Sequence, residues 1–122
     1  MQHCFVIDDS DIVRKYARLI FESLDFRVSD AASPVGVAER FSADTPDMVI
    51  VDWRVPGHNM TEFIASVRAM TLDRRPYMIY LATENDTGDI QRALRAGADD
   101  YMMKPFNREI IEMKLHEIRV AA

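Results

Sequence analysis

The sequence predicts an α/β domain built on a doubly wound parallel sheet, with helices covering both faces. Three observations carry this expectation. Short apolar runs recur at residues 4–7, 48–51, 78–82 and 101–103, each followed by a turn signal. Unbroken apolar runs of this length suit strands buried on both faces of a parallel sheet. Stretches with helical spacing lie between the runs, so strand and helix alternate. Each run also ends on a residue able to do chemistry: Asp8 and Asp9, then Asp52, then Thr83, then Lys104 before Pro105. In open sheets of this kind ligands bind outside the carboxyl ends of the strands.

The elements follow in order. After the first run, Ser10 or Asp11 caps a helix reaching about Leu24, with Ile12, Tyr16, Leu19, Ile20 and Phe21 as its apolar side and Arg14, Lys15, Arg18 and Glu22 largely opposite. Residues 26–29 alternate apolar and polar, as an edge strand with one wetter face would. Pro34 suits the first turn of a second helix ending near Ala43. Asp44, Thr45 and Pro46 then turn the chain into the strand ending at Asp52. Pro56 and Gly57 break the chain, and Asn59 with Glu62 resembles a capping box for a helix carrying Phe63, Ile64, Val67 and Met70. Beyond the strand that ends at Thr83, a helix presents Ile90, Ala93 and Leu94 and stops at Gly97. A short strand at 101–103 precedes a last helix over about 107–119, with Ile110, Ile111, Lys114, Leu115 and Ile118 on one side.

Five strands alternate with five helices on this reading, which implies right-handed crossovers. The wetter second strand belongs on an edge. The flavodoxin-like order 2-1-3-4-5, a (βα)5 arrangement, meets that demand and sets the first and third strands side by side. Asp8, Asp9 and Asp52 are then close enough to share one metal ion.

Composition narrows the function classes. A chain of 122 residues suits one domain, read here as spanning 1–122. The apolar share of 48% supports a core, and the net charge of -5 comes without a basic block. Arg74 and Arg75, the one adjacent arginine pair, run into Pro76 and read as a solvated turn, so direct nucleic-acid binding is not expected. The single cysteine, Cys4, excludes an intrachain disulfide and reads as a buried apolar side chain. No secretory signal and no membrane-spanning run is visible, which makes the cytoplasm the expected location and membrane insertion unexpected.

Three crowded carboxylates repel one another, and a cation relieves that repulsion. Mg2+ prefers hard oxygen ligands, keeps several waters and suits one or two carboxylates plus a phosphate. An aspartate can also accept a phosphoryl group as an acyl phosphate. Transfer of a loose phosphoryl group needs alignment and charge neutralisation. Mg2+, the Lys104 ammonium and the Thr83 hydroxyl would each take one of its oxygens.

With these residues in this order, the chain resembles the receiver domain of two-component response regulators, from Phe5 to about Arg119. The family's acidic pair matches Asp8 and Asp9, and its phosphoacceptor matches Asp52. Its switch hydroxyl matches Thr83, its lysine matches Lys104 ahead of Pro105 and Phe106, and its aromatic switch matches Tyr101. The resemblance implies phosphoryl transfer from a histidine kinase or histidine phosphotransfer protein, dependence on Mg2+ and slow self-catalysed hydrolysis. Such a domain is not an enzyme toward other substrates. The resemblance further implies a metal ligand in the backbone carbonyl of Arg54 and a cis Lys104–Pro105 bond. Output would pass to a protein partner through the face of the fourth helix, last strand and last helix. Among the eight methionines, Met48 and Met78 read as core filler, while Met102, Met103 and Met113 lie near that face.

Two positions depart from the family pattern. Met60 stands where the family often has glycine, and Glu84 follows the switch hydroxyl where alanine or glycine is usual. Arg54 lies at the mouth of the site. Arg54 and Glu84 either pair there as a gate over phospho-Asp52 or both point into water. A receiver cut from a longer regulator is the main alternative to a stand-alone switch. An aspartate-nucleophile phosphatase is the alternative from another class, but it usually carries an acid where this chain has Arg54.

Overall fold

A computed structural model describes residues 2–83 and 87–121. Five strands alternate with five helices: β1 (Gln2–Ile7), α1 (Asp11–Ser23), β2 (Phe26–Ala31), α2 (Val37–Ala43), β3 (Met48–Asp52), α3 (Met60–Arg68), β4 (Tyr77–Ala82), α4 (Thr87–Ala96), β5 (Asp100–Met103) and α5 (Arg108–Ala121). The strands are parallel in the order β2-β1-β3-β4-β5. The expected fold class and strand order are both present.

Alternation along the inner strands divides the core in two. Phe5 and Ile7 join Val49, Val51, Met78 and Tyr80 on the side covered by α2, α3 and α4. Cys4 and Val6 join Met48, Ile50, Ile79 and Leu81 on the side covered by α1 and α5. Both faces are therefore dry, which is why these strands read as unbroken apolar runs. Each fully buried aliphatic or aromatic side chain contributes roughly 1.5–3 kcal/mol. Met48 and Met78 are core residues, as expected.

Several helix ends match the local chemistry. Ser10 caps α1 by accepting from the Val13 N–H at 3.3 Å. Asn59 caps α3 by accepting from the Thr61 and Glu62 N–H groups at 3.1 and 3.2 Å. Asn107 accepts from the Ile110 N–H at 2.9 Å at the start of α5. Gly97 ends α4 with a φ of 127°, and an added Cβ there would sit 2.5 Å from the Arg68 side chain. Only glycine fits that turn.

Two expectations about helices need correction. Pro34 precedes α2 instead of opening it. Gly36, with φ 73°, turns the chain, and the helix begins at Val37. In α1 the buried residues are Ala17, Ile20 and Phe21, whereas Ile12 is 79% and Leu19 70% exposed, and Tyr16 is exposed too. Small Ala17 lets the helix sit close to the sheet, so the contact arc is narrow and Ile12 and Leu19 fall outside it. Arg18, expected on the far side, donates to the Val28 carbonyl at 2.9 Å. Leu94 of α4 is likewise exposed, and Met70 lies beyond the end of α3.

At the amino end of the sheet the charges are paired. Asp99 accepts from Arg68 and Arg75 at 2.7 Å each and from the Met78 N–H at 2.8 Å. Arg68 also donates to the carbonyls of Gly97 and Pro76, both at 2.8 Å. Asp47 accepts from the His3 N–H and from Arg74, each at 2.7 Å.

Candidate functional site

The opposite end of the sheet is built differently. β1 and β3 pair with Ile7 beside Val51, so the residues that follow, Asp8 just past β1 and Asp52 closing β3, stand side by side. One oxygen from each of Asp8, Asp9 and Asp52 lies within 4.8 Å of the others. Asp8 and Asp52 are buried and Asp9 faces solvent. The loop holds this pose locally. The Ser10 N–H donates to Asp8 Oδ1 at 2.9 Å, and Arg14 Nη1 donates to the Asp8 carbonyl at 2.5 Å.

Lys104 arrives from the other half of the sheet. Its N–H donates to the Ala82 carbonyl at 2.8 Å, continuing the β4–β5 ladder by one residue. The Lys104–Pro105 bond is cis, as the resemblance implied. Nζ then lies 2.8 Å from both Asp8 Oδ2 and Asp52 Oδ1. Thr83 directly follows β4 and is half-buried, on the strand next to that of Asp52. The structure thus brings Asp8, Asp9, Asp52 and Lys104 into one cluster, with Thr83 at the adjoining strand end.

Three carboxylates here face one ammonium. Burial is the main force raising the Asp52 pKa, to about 6. Lys104 works against that rise, Asp8 adds to it, and the Arg54 N–H opposes it. Burial alone would lower the Lys104 pKa, but Asp52 and Asp8 more than reverse this and leave it raised. Asp8 Oδ2 and Asp52 Oδ1 are buried, and beyond the Lys104 ammonium neither has a partner among the described residues. Two such oxygens beside a third carboxylate that opens to solvent fit a hard divalent cation. Magnesium is the natural fit, because its ligands lie at about 2.0–2.1 Å and it retains water.

Other expected residues sit further out. Arg54 is exposed, with its guanidinium 5.8 Å from the Trp53 ring centre. Glu84 lies outside the described residues. Tyr101 is 40% exposed. Met102 is buried against α5, Met103 is half-buried and Met113 is exposed. Sequence reasoning placed Arg14 only on the outer side of α1. An arginine six residues past a strand-end acid, within the first turns of the next helix, was the available signal. Tyr80 was also missed. Its hydroxyl lies 3.5 Å from the Trp53 carbonyl, beneath the loop that follows Asp52.

Residues 4–116 match the response regulator receiver domain family. The chain is 28% identical over 116 residues to the transcriptional regulatory protein CseB of Streptomyces coelicolor, covering 95% of this chain and 48% of that protein. It therefore spans about half the length of that relative. It is also 28% identical to the chemotaxis protein CheY1 of Helicobacter pylori, covering 93% of each. Among solved structures, the receiver domain of the sensor histidine kinase PA1611 from Pseudomonas aeruginosa superimposes with a TM-score of 0.84 at 25% identity, over 95% of each chain. That structure holds a magnesium ion in its active-site cleft. No described helix is long and apolar enough to cross a membrane.

Proposed function

The chain belongs to the response regulator receiver family of two-component signalling, and on that premise we propose that it is a phosphorylation switch with Asp52 as the acceptor. The observation that carries this reading is Lys104 Nζ at 2.8 Å from both Asp8 and Asp52, with Asp9 alongside. The Asp52 carboxylate attacks phosphorus in line, and the bond to the donor nitrogen breaks as the acyl phosphate forms. Lys104 neutralises one phosphoryl oxygen, and the Thr83 hydroxyl and a nearby backbone N–H neutralise another. Asp9 and Asp52 would hold Mg2+ through their carboxylates, with the Arg54 carbonyl as a further ligand and Asp8 acting mainly through a bound water. The ion, when bound, supplies the remaining positive charge. The magnesium in the related kinase receiver supports this assignment.

The donor is a histidine kinase or a histidine phosphotransfer protein in the cytoplasm. Thr83 moves toward the phosphoryl group and vacates space that Tyr101 fills, which changes the α4–β5–α5 face read by a protein partner. The bias comes from contacts made only in the phosphorylated state. Residues 1–122 act as one receiver domain that catalyses only its own phosphorylation and slow hydrolysis. A second reading, a receiver joined to an output domain, is supported by CseB, which is about twice as long as the matched region. The phosphatase alternative is disfavoured by Arg54.

Incubation with phosphoramidate and Mg2+ should add the mass of one phosphoryl group. Asp52→Asn should abolish the adduct. A stable adduct forming on Asp52→Asn at the wild-type rate would sink the assignment.

A further inference from the structure

The open edge of the sheet carries a feature that the switch reading above does not use, though it rests on that reading. β5 is the last strand of the sheet. Alternation sends Asp100 and Met102 to one face, and Tyr101 and Met103 to the other. Met102 packs with Ile111 and Leu115 of α5, while Met103 packs against the cluster under α3 and α4. By position Tyr101 belongs to the α4 side. Its ring nevertheless lies 5.6 Å from Lys114 Nζ, on α5. The ring therefore wraps around the strand edge. Lys114 is itself held, with Nζ 2.9 Å from Asp100 Oδ2 and both side chains mostly buried. Asp100 Oδ1 accepts from the Tyr101 N–H at 2.7 Å. One carboxylate thus grips both the cation and the backbone that carries the ring.

We propose that Asp100 and Lys114 form a clasp that holds Tyr101 outward and so sets the balance between resting and active states. The ring–ammonium contact exists only while Tyr101 is out. The Asp100–Lys114 pair does not depend on the ring and survives its inward turn. A contact made in one state alone biases the equilibrium toward that state. Both are positioning residues, since neither touches the reacting atoms. In a population whose outward state dominates, any relief of the clasp appears as tighter binding of whatever selects the inward state.

The test compares wild type with Lys114→Met, which keeps the apolar stem and removes the charge. It adds Asp100→Asn, and Lys114→Met in a Tyr101→Ala background. One readout is the set of NMR contacts between the Tyr101 ring and the Thr83 methyl in untreated protein. The other is affinity for beryllofluoride with Mg2+. Lys114→Met should strengthen the inward ring contacts and tighten beryllofluoride about two- to fivefold, the size expected of an exposed cation–π contact. Asp100→Asn should move both readouts the same way. Without the Tyr101 ring, Lys114→Met should leave beryllofluoride affinity unchanged. Unaltered ring contacts and affinity in Lys114→Met overturn the clasp, as does equal tightening with and without the ring. Failure of wild type to bind beryllofluoride would instead defeat the switch reading, and the ring contacts would still decide the clasp.

Discussion

The two ends of the sheet treat carboxylates in opposite ways. At the amino end Asp99 meets two arginines and a backbone N–H, and Asp47 meets Arg74 and the His3 N–H. At the carboxyl end Asp8 and Asp52 share one lysine, with Asp9 crowded alongside. Asp52 at one end and Asp47 and Asp44 at the other titrate on opposite sides of the ordinary carboxylate value. Asp52 is raised to about 6, chiefly by burial. Asp47 is lowered, since the His3 N–H and Arg74 together outweigh a burial effect that is the largest single influence. Asp44 is lowered mainly by its bond to Arg27. Satisfied acids hold a fold together. Crowded acids weaken it locally and create a demand for a cation or a phosphoryl group, and the function proposed above rests on that demand.

The largest expected effect tests the satisfied end. Asp99→Ala leaves Arg68 and the Met78 N–H without their partner, and should lower unfolding free energy by about 3 kcal/mol, the upper end for stranding part-buried donors. Urea unfolding measures it. A loss under 1 kcal/mol would mean that the amino end is no better satisfied than the site.

Next comes the opposite sign at the crowded end. Asp52 has a folded pKa above its unfolded value, so its contribution is complete below about pH 4 and is lost as pH rises to about 6. Metal-free wild type should lose on the order of 2 kcal/mol across that window, and Asp52→Asn should not. Asp44 and Asp47, with depressed pKa values, contribute stability that disappears only as pH falls below the ordinary carboxylate range. Thermal unfolding across pH separates the two ends. A wild-type curve that rises from pH 4 to 6 and is matched by Asp52→Asn would erase the contrast.

Mg2+ should relieve the crowded end alone. At ten times its dissociation constant it should stabilise the protein by about 1.4 kcal/mol. Asp9→Ala should remove most of this gain, and Asp47→Asn none of it. Trp53, next to Asp52, offers a fluorescence readout of the same titration. Equal magnesium responses in the two variants would place the ion elsewhere.

The smallest effect concerns the rim. A gate formed by Arg54 and Glu84 would be a rim ion pair, and such pairs are worth about 0–1 kcal/mol, so it should change dephosphorylation by less than about tenfold. Faster loss in Arg54→Ala and in Glu84→Ala, with little further gain in the double variant, supports the gate. Additive effects show independent action, and unchanged rates remove both residues from control of the water.

Much of this arrangement was legible because burial on both faces writes a strand as an apolar run. Asp8, Asp52, Thr83 and Lys104 stand at the ends of such runs, and a parallel sheet gathers those ends. Faces and helix starts were less legible. Helical spacing marks Ile12 and Leu19 as apolar but does not say how wide an arc the sheet covers, and Ala17 narrows it. Pro34 is equally at home in a turn, and Gly36 decides where α2 starts. Least legible were the pairs between distant positions, such as Arg68 with Asp99 or Lys114 with Tyr101. No local pattern records that two charged residues far apart in the chain meet across an edge or beneath a turn.

The order in which the chain supplies its site has a consequence for assembly during synthesis. All three acids lie at or before Asp52, just past β1 and at the end of β3, two strands that pair directly. Thr83 and Lys104 come later, and Lys104 reaches the acids only once β5 has joined β4. A nascent or truncated chain that has formed only the first three strands possesses the acidic trio without its counter-charge. Full charge neutralisation, and with it the phosphoryl chemistry proposed above, waits for the last strand. On that proposal, only chains whose sheet is complete can signal.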